Sequence, residues 1–158
     1  MILIVMGVAG SGKSTIGQLL AERLGCAFYD GDDFHPAANV EKMRRGQPLT
    51  DEDRAAWLSA LADLIRACLQ RHETAVIACS ALKQSYRDEL QVSNEVRFIY
   101  LHGTYDLLEA RLRQRAGHYM PPSLLASQFA ALEEPREALT VDVSAPPEQI
   151  VAEIVRQL

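Results

Sequence analysis

Apolar positions along this chain fall into two rhythms: short continuous runs, and longer stretches with an apolar residue at every third or fourth place. Met1-Ile2-Leu3-Ile4-Val5-Met6 is the first short run, and its aliphatic, partly β-branched content predicts a buried strand. Ile16, Leu19, Leu20 and Leu24 follow at helical spacing, with Gly25 as a natural stop. Cys26-Ala27-Phe28-Tyr29 predicts a second strand, ending in Asp30-Gly31-Asp32-Asp33. The next helix takes Pro36 as its first position and is broken by Gly46-Gln47-Pro48. Thr50 reads as an N-cap with Asp51, Glu52 and Asp53 in the first turn, where the helix dipole favours them. That helix carries Trp57, Leu58, Leu61, Leu64, Ile65 and Leu69 on one face and runs to about Arg71.

The second half repeats the alternation. Thr74-Ala75-Val76-Ile77-Ala78-Cys79 is continuously apolar, as a parallel strand covered on both faces must be. A helix over 83–91, a strand over 96–101 and a helix over 105–115 follow. Residues 116–122 form a loop, and Ser123 caps a helix through Leu132. Leu139-Thr140-Val141-Asp142-Val143 is the last strand, and Pro146-Pro147-Glu148 opens a closing helix with Ile150, Val151, Ile154, Val155 and Leu158 inward. No internal repeat or low-complexity tract interrupts the order. The prediction is an α/β fold in one domain, 1–158, with a parallel sheet of about five strands and helices on both faces.

Between the first strand and first helix lies Gly7-Val8-Ala9-Gly10-Ser11-Gly12-Lys13-Ser14, which fits G-x-x-x-x-G-K-[ST] at every fixed position. Glycines let successive backbone N–H groups turn toward phosphate oxygens, and the helix start adds its positive end. The nucleotide-binding set is therefore Gly7, Gly10, Ser11, Gly12, Lys13 and Ser14, with Thr15 either completing it or serving as a plain first-turn residue. Lys13 reaches the β- and γ-phosphates and the Ser14 hydroxyl ligates Mg²⁺. The plainer alternative is a Gly/Ser-rich turn that only caps a helix. The strand–loop–helix context favours a site for a nucleoside triphosphate.

Composition narrows the class. The 158 residues are 48% hydrophobic and 23% charged, an ordinary globular mixture long enough for one real core. A net charge of −5 argues against broad affinity for nucleic acid or membrane surfaces. Cys26, Cys68 and Cys79 lack metal-ligand spacing and read as buried free thiols of a reducing compartment. The first apolar run lacks a basic region before it, and no stretch reaches membrane-spanning length. The expected location is cytoplasmic.

Motors, switches and kinases all use this loop. A guanine-reading N-K-x-D is absent, and the third strand runs into Cys79-Ser80-Ala81 instead of ending in an acid. The acids stand at the end of the second strand, as Asp30 and Asp32, facing the loop across the carboxyl edge of the sheet. A solvated turn is the alternative; beside the loop, a kinase that orients an acceptor hydroxyl is favoured.

Asp30-Gly31-Asp32-Asp33-Phe34-His35-Pro36, with Asn39, Lys42-Met43, Gly46, Pro48-Leu49, Asp51, Asp53-Arg54 and Trp57-Leu58, resembles the gluconokinase signature. So do Cys79-Ser80-Ala81-Leu82-Lys83 with Tyr86-Arg87-Asp88, and Gly117-His118-Tyr119-Met120-Pro121-Pro122 with Leu124-Leu125, Ser127-Gln128-Phe129 and Leu132-Glu133. The resemblance covers essentially the whole chain. It implies phosphorylation of D-gluconate at its 6-hydroxyl by ATP and Mg²⁺, within a P-loop kinase fold akin to shikimate and nucleoside monophosphate kinases. It also implies an acceptor region over about 30–58, a mobile lid over about 111–122, and allows a homodimer. Ala56 replaces the usual proline before the tryptophan, and Tyr119 the usual phenylalanine; neither change removes a charged or ligating group.

Within that frame Asp32 accepts or orients the 6-hydroxyl proton, and Asp30 holds a Mg²⁺-bound water. Arg111 and Arg115 share a helix face and close over the phosphates; Arg113 points elsewhere and reads as a cation at a helix C-terminus. The acceptor's carboxylate needs cations: Lys42, Arg54, Lys83 and Arg87 are the candidates, with Arg54 and Lys83 favoured. His35 either hydrogen-bonds a sugar hydroxyl or packs at the helix start, and His118 either supports the lid or is an exposed loop residue. Trp57 reads as core or pocket wall. The adenine lies against Ser144-Ala145-Pro146-Pro147. Two alternatives stand beside gluconate phosphorylation: a kinase of the same fold acting on another small hydroxy acid such as shikimate, and a non-catalytic nucleotide-binding module.

Overall fold

The computed structural model describes residues 1–114 and 122–158. Five strands, β1 (Ile2–Met6), β2 (Ala27–Asp30), β3 (Ala75–Ala78), β4 (Val96–His102) and β5 (Leu139–Asp142), form one parallel sheet in the order β2-β3-β1-β4-β5. Among the described residues seven α-helices accompany them: α1 (Lys13–Leu24), α2 (Ala37–Arg44), α3 (Asp51–Gln70), α4 (Gln84–Leu90), α5 (Tyr105–Gln114), α6 (Pro122–Ala131) and α7 (Pro147–Gln157). Among the described residues no helix is long and apolar enough to cross a membrane.

The continuous apolar runs make sense from the packing. Every residue of β1 is buried. Its Leu3 and Val5 join the core formed with α1, α5, α6 and α7, while Ile2, Ile4 and Met6 join the opposite core under α3 and α4. A strand buried on both faces cannot show polar alternation. The helix ends follow local chemistry. Thr50 and Asp53 form a reciprocal capping box at the start of α3, the Thr50 hydroxyl accepting from Asp53 N and the Asp53 carboxylate accepting from Thr50 N.

Five local expectations change. Pro36 precedes α2 as its cap, because its ψ of 154° is extended while its carbonyl already accepts from the Asn39 and Val40 amides. Leu158 falls beyond α7 and is exposed, and Val155 is only partly buried. Cys26 is likewise partly buried, unlike Cys68 and Cys79. Burial pushes the Cys79 thiol up to about 12, so it stays protonated. The α6 helix already begins at Pro122, so Ser123 stands inside its first turn instead of capping it, and most of the lid, 115–121, lies outside the described residues.

Candidate active site

The carboxyl ends of β1, β2 and β3 bring three loops together. After β1 the chain turns through Gly10 (φ 79°) and Gly12 (φ 93°), left-handed conformations that side-chain-bearing residues rarely adopt. Gly12 then starts α1, so the helix begins with Lys13 and directs its first amides into the loop. Lys13 Nζ donates to the Val8 carbonyl at 3.1 Å, folding its side chain back along the loop. Ser11 is buried, and its Oγ has no hydrogen-bond partner among the described residues.

Asp30 ends β2 and faces this loop. Its Oδ2 accepts from Ser14 Oγ at 2.9 Å, and its Oδ1 accepts from the Asp32 amide at 3.0 Å. The Asp30 bond caps a 3₁₀ turn, Gly31–Phe34, which swings Asp32 out toward the neighbouring cleft. Gly31 is required there: a Cβ would sit 2.4 Å from the Ala78 carbonyl oxygen of β3. Trp57 fixes the same turn by donating its indole N–H to the Gly31 carbonyl at 2.7 Å. Displacement of water by surrounding protein atoms raises the Asp32 carboxyl above the ordinary aspartate range; the Lys13 ammonium opposes the rise, and Asp30 and Asp33 add to it.

One cleft is lined by Lys13 and Ala9 from the P-loop, by Asp32 and His35, and by Arg54 and Lys83. Arg54 donates to the Leu49 carbonyl at 2.8 Å and to the Tyr86 oxygen at 3.2 Å. Lys83 donates to Asp51 at 3.0 Å, and the Tyr86 hydroxyl donates to the same carboxylate oxygen. Both cations lie over the Tyr86 ring, at 5.4 Å and 5.7 Å from its centroid. His35 stacks on Trp57 with centroids 4.2 Å apart. Burial, and secondarily the Arg54 charge, push its pKa down to about 4, so the ring is neutral at pH 7. A second cleft runs from Gly10, Gly12 and Thr15 to Arg111, Ala145 and Pro147. Arg111 donates to the Val143 carbonyl at 2.6 Å on that cleft's wall.

The two clefts meet at the P-loop, where Ala9 and Lys13 line one and Gly10 and Gly12 the other. A family model described as shikimate kinase matches residues 9–158. The thermoresistant gluconokinase of Escherichia coli (strain K12) is 44% identical, over 98% of this chain and 91% of its own. A solved gluconokinase from Sinorhizobium meliloti 1021 superposes with a TM-score of 0.87 at 45% identity, covering 98% of this chain and 89% of that one. A sugar kinase from Janibacter sp. HTCC2649 gives 0.92 at 43%, covering 98% and 92%. The chain belongs to the gluconokinase family.

Against this family frame, the expected residues divide. Lys13, Asp32, His35, Arg54 and Lys83 meet in the first cleft, and Arg111 and Thr15 in the second. Arg87 does not reach the acceptor cleft. It is buried, and its guanidinium donates to the Ala81 and Glu133 carbonyls at 2.6 and 2.7 Å. Its role is to hold the loop after β3, where Ala81 takes a left-handed φ of 46°. Lys42 also lies outside the cleft lining, bridging Asp53 at 2.6 Å and so reinforcing the α3 cap. Arg113 pairs with Glu109 one turn back on α5. Arg115 and His118 lie outside the described residues. Gln128 stands in the sequence only as part of a family motif, yet it lines the acceptor cleft and accepts from the P-loop Ala9 amide at 2.7 Å. Its signal was the spacing of Leu124, Gln128 and Ala131, which places them on one helix face.

Proposed function

We propose that this chain transfers the γ-phosphoryl group of ATP to the 6-hydroxyl of D-gluconate. The observation that carries the reading is that Lys13 of the P-loop shares a cleft with Asp32, Arg54 and Lys83. A phosphate-binding cation, a carboxylate and two further cations are what transfer to an anionic polyol requires. Asp32 accepts or orients the hydroxyl proton. Arg54 and Lys83 receive the acceptor's carboxylate, held in place by Tyr86 and Asp51. Lys13 balances charge on the β- and γ-phosphates, and Arg111 flanks the nucleotide cleft that ends at Ala145 and Pro147.

The donor set also suits Mg²⁺. Ser14 Oγ and the Asp30 carboxylate are adjacent hard oxygens beside the phosphate loop. Among the described residues no three His, Cys, Asp or Glu side chains gather into a cage, which fits an ion held largely by phosphate oxygens and water. When bound, Mg²⁺ supplies charge neutralisation at the phosphates. The division of the two acids is therefore Asp30 toward the metal and Asp32 toward the acceptor.

The direct test is ADP release from purified protein with Mg-ATP, comparing D-gluconate, shikimate and no acceptor. Release with gluconate alone is expected; equal release with shikimate, or none with either, overturns the assignment. Lys13→Ala should abolish transfer. Asp32→Asn should lower kcat by about a hundredfold or more while the KM for ATP stays within a few-fold, since general-base positioning acts on the chemical step. Near-normal turnover in that variant would remove Asp32 from its role.

A further inference from the structure

Asn39 lies on α2, is 3% exposed, and does not line the acceptor cleft. Its Nδ2 is 2.7 Å from the Asp53 backbone carbonyl oxygen and 3.2 Å from His35 Nδ1. A carbonyl oxygen only accepts, so the atom facing it is the amide NH₂ group. The second hydrogen of that NH₂ then points at His35 Nδ1, which must be the unprotonated, accepting nitrogen. The ring's one proton sits on Nε2. Trp57 stacking holds the ring plane, and the low pKa of His35 excludes the doubly protonated form at pH 7.

We propose that Asn39 is a positioning residue that locks His35 in the Nε2–H tautomer, so that His35 offers the acceptor a hydrogen-bond donor beside Asp32. His35 Nε2 is 3.9 Å from Asp32 Oδ1, too far for a direct bond. One hydroxyl spans that gap, accepting from the imidazole N–H and donating to the carboxylate. In the opposite tautomer Nε2 would be an acceptor, and two acceptors would face a group carrying a single proton. The tautomer thus sets which way round a hydroxyl is held. This inference rests on the acceptor site proposed above and adds to it a residue that touches no substrate.

The test reads the tautomer directly. Long-range ¹⁵N–¹H spectra of labelled protein at pH 7, with His35 identified by its loss in His35→Gln, should show the Nε2–H form. An Nδ1–H or doubly protonated His35 overturns the proposal. Asn39→Asp, which presents an acceptor to Nδ1, should move the proton to Nδ1 and lower kcat/KM for gluconate about tenfold, mainly through KM, with the KM for ATP within twofold. A folded Asn39→Asp protein that keeps the Nε2–H form, or switches without raising the gluconate KM, overturns it. If Asn39→Asp does not fold, two His35 variants decide. The amide nitrogen of glutamine reaches the place of Nε2 and that of asparagine the place of Nδ1, so His35→Gln should retain gluconate affinity that His35→Asn loses. Equal losses overturn the donor role. An unmodified protein that turns over no gluconate overturns the proposed function and with it the acceptor role of His35, while the spectrum still decides the tautomer.

Discussion

Asp30 and Asp32 are two residues apart and would point the same way in an extended strand. They part because β2 ends at Asp30 and the 3₁₀ turn begins at once, with both Asp30 oxygens engaged by the Ser14 hydroxyl and the Asp32 amide. Gly31 makes that turn possible. Gly31→Ala should cost about 1–3 kcal/mol by chemical denaturation, the range for overpacking at a site with no room to relax; a cost near zero would show that the turn can move away from β3. His35 carries a pH signature of its own. A base with its folded pKa near 4, against 6.5 when exposed, leaves the unfolded chain with more bound protons between those values. Stability therefore rises with pH from about 4 to about 6.5. Denaturation midpoints across that window should show a slope that His35→Gln reduces, and an unchanged slope would assign it to other groups.

At the level of elements, α3 is the piece most clearly written in its own residues. Thr50, Asp53 and the apolar face from Trp57 to Ile65 define its start and its buried side. Thr50→Ala should lower stability by about 1 kcal/mol, a typical cost of losing an N-cap, with turnover of the folded protein little changed. The Asp53 carboxyl, held down to about 2 chiefly by Lys42 and then by the Thr50 amide, ties α2 to the same cap. Its contribution is present above pH 3.8 and is lost as pH falls through 2. The α4 start, by contrast, is organised from a distance: Glu133, beyond α6, accepts from the Gln84 amide at 2.9 Å, and the Glu133 amide donates to the Leu82 carbonyl at 2.8 Å. Nothing near Gln84 in the sequence announces that partner.

Across the whole molecule, the P-loop is the hinge between the two clefts. Gln128 on α6 reaches the Ala9 amide from the acceptor side, and Arg111 on α5 reaches the Val143 carbonyl on the nucleotide side. Nucleotide binding to the folded state alone should raise the melting temperature, with a stabilisation of about 2.7 kcal/mol at a hundredfold excess of ligand over Kd. Mg-ATP with the unmodified protein should show that shift in a thermal melt, and Lys13→Ala should lose most of it. A full shift in Lys13→Ala would mean that the loop amides, rather than the lysine, carry nucleotide affinity.

The elements, their order and the phosphate loop were legible because their causes are local. Apolar runs, helical spacing, capping residues and a glycine-rich loop act over a few neighbouring residues, and the candidate acids stood beside them in the chain. The destinations of long side chains were not legible, because they depend on what the fold brings near. Arg54 and Arg87 look alike in sequence, each a cation near an apolar helix face. One reaches the cleft because Tyr86 and the Leu49 carbonyl meet it there; the other is drawn inward by the carbonyls of Ala81 and Glu133. The proton on His35 is set the same way, by an Asp53 carbonyl that orients the Asn39 amide. Local chemistry determined the strands, helices and loop, while the tertiary structure decided which polar groups face one another, since a hydrogen bond has a direction only once both partners are in place.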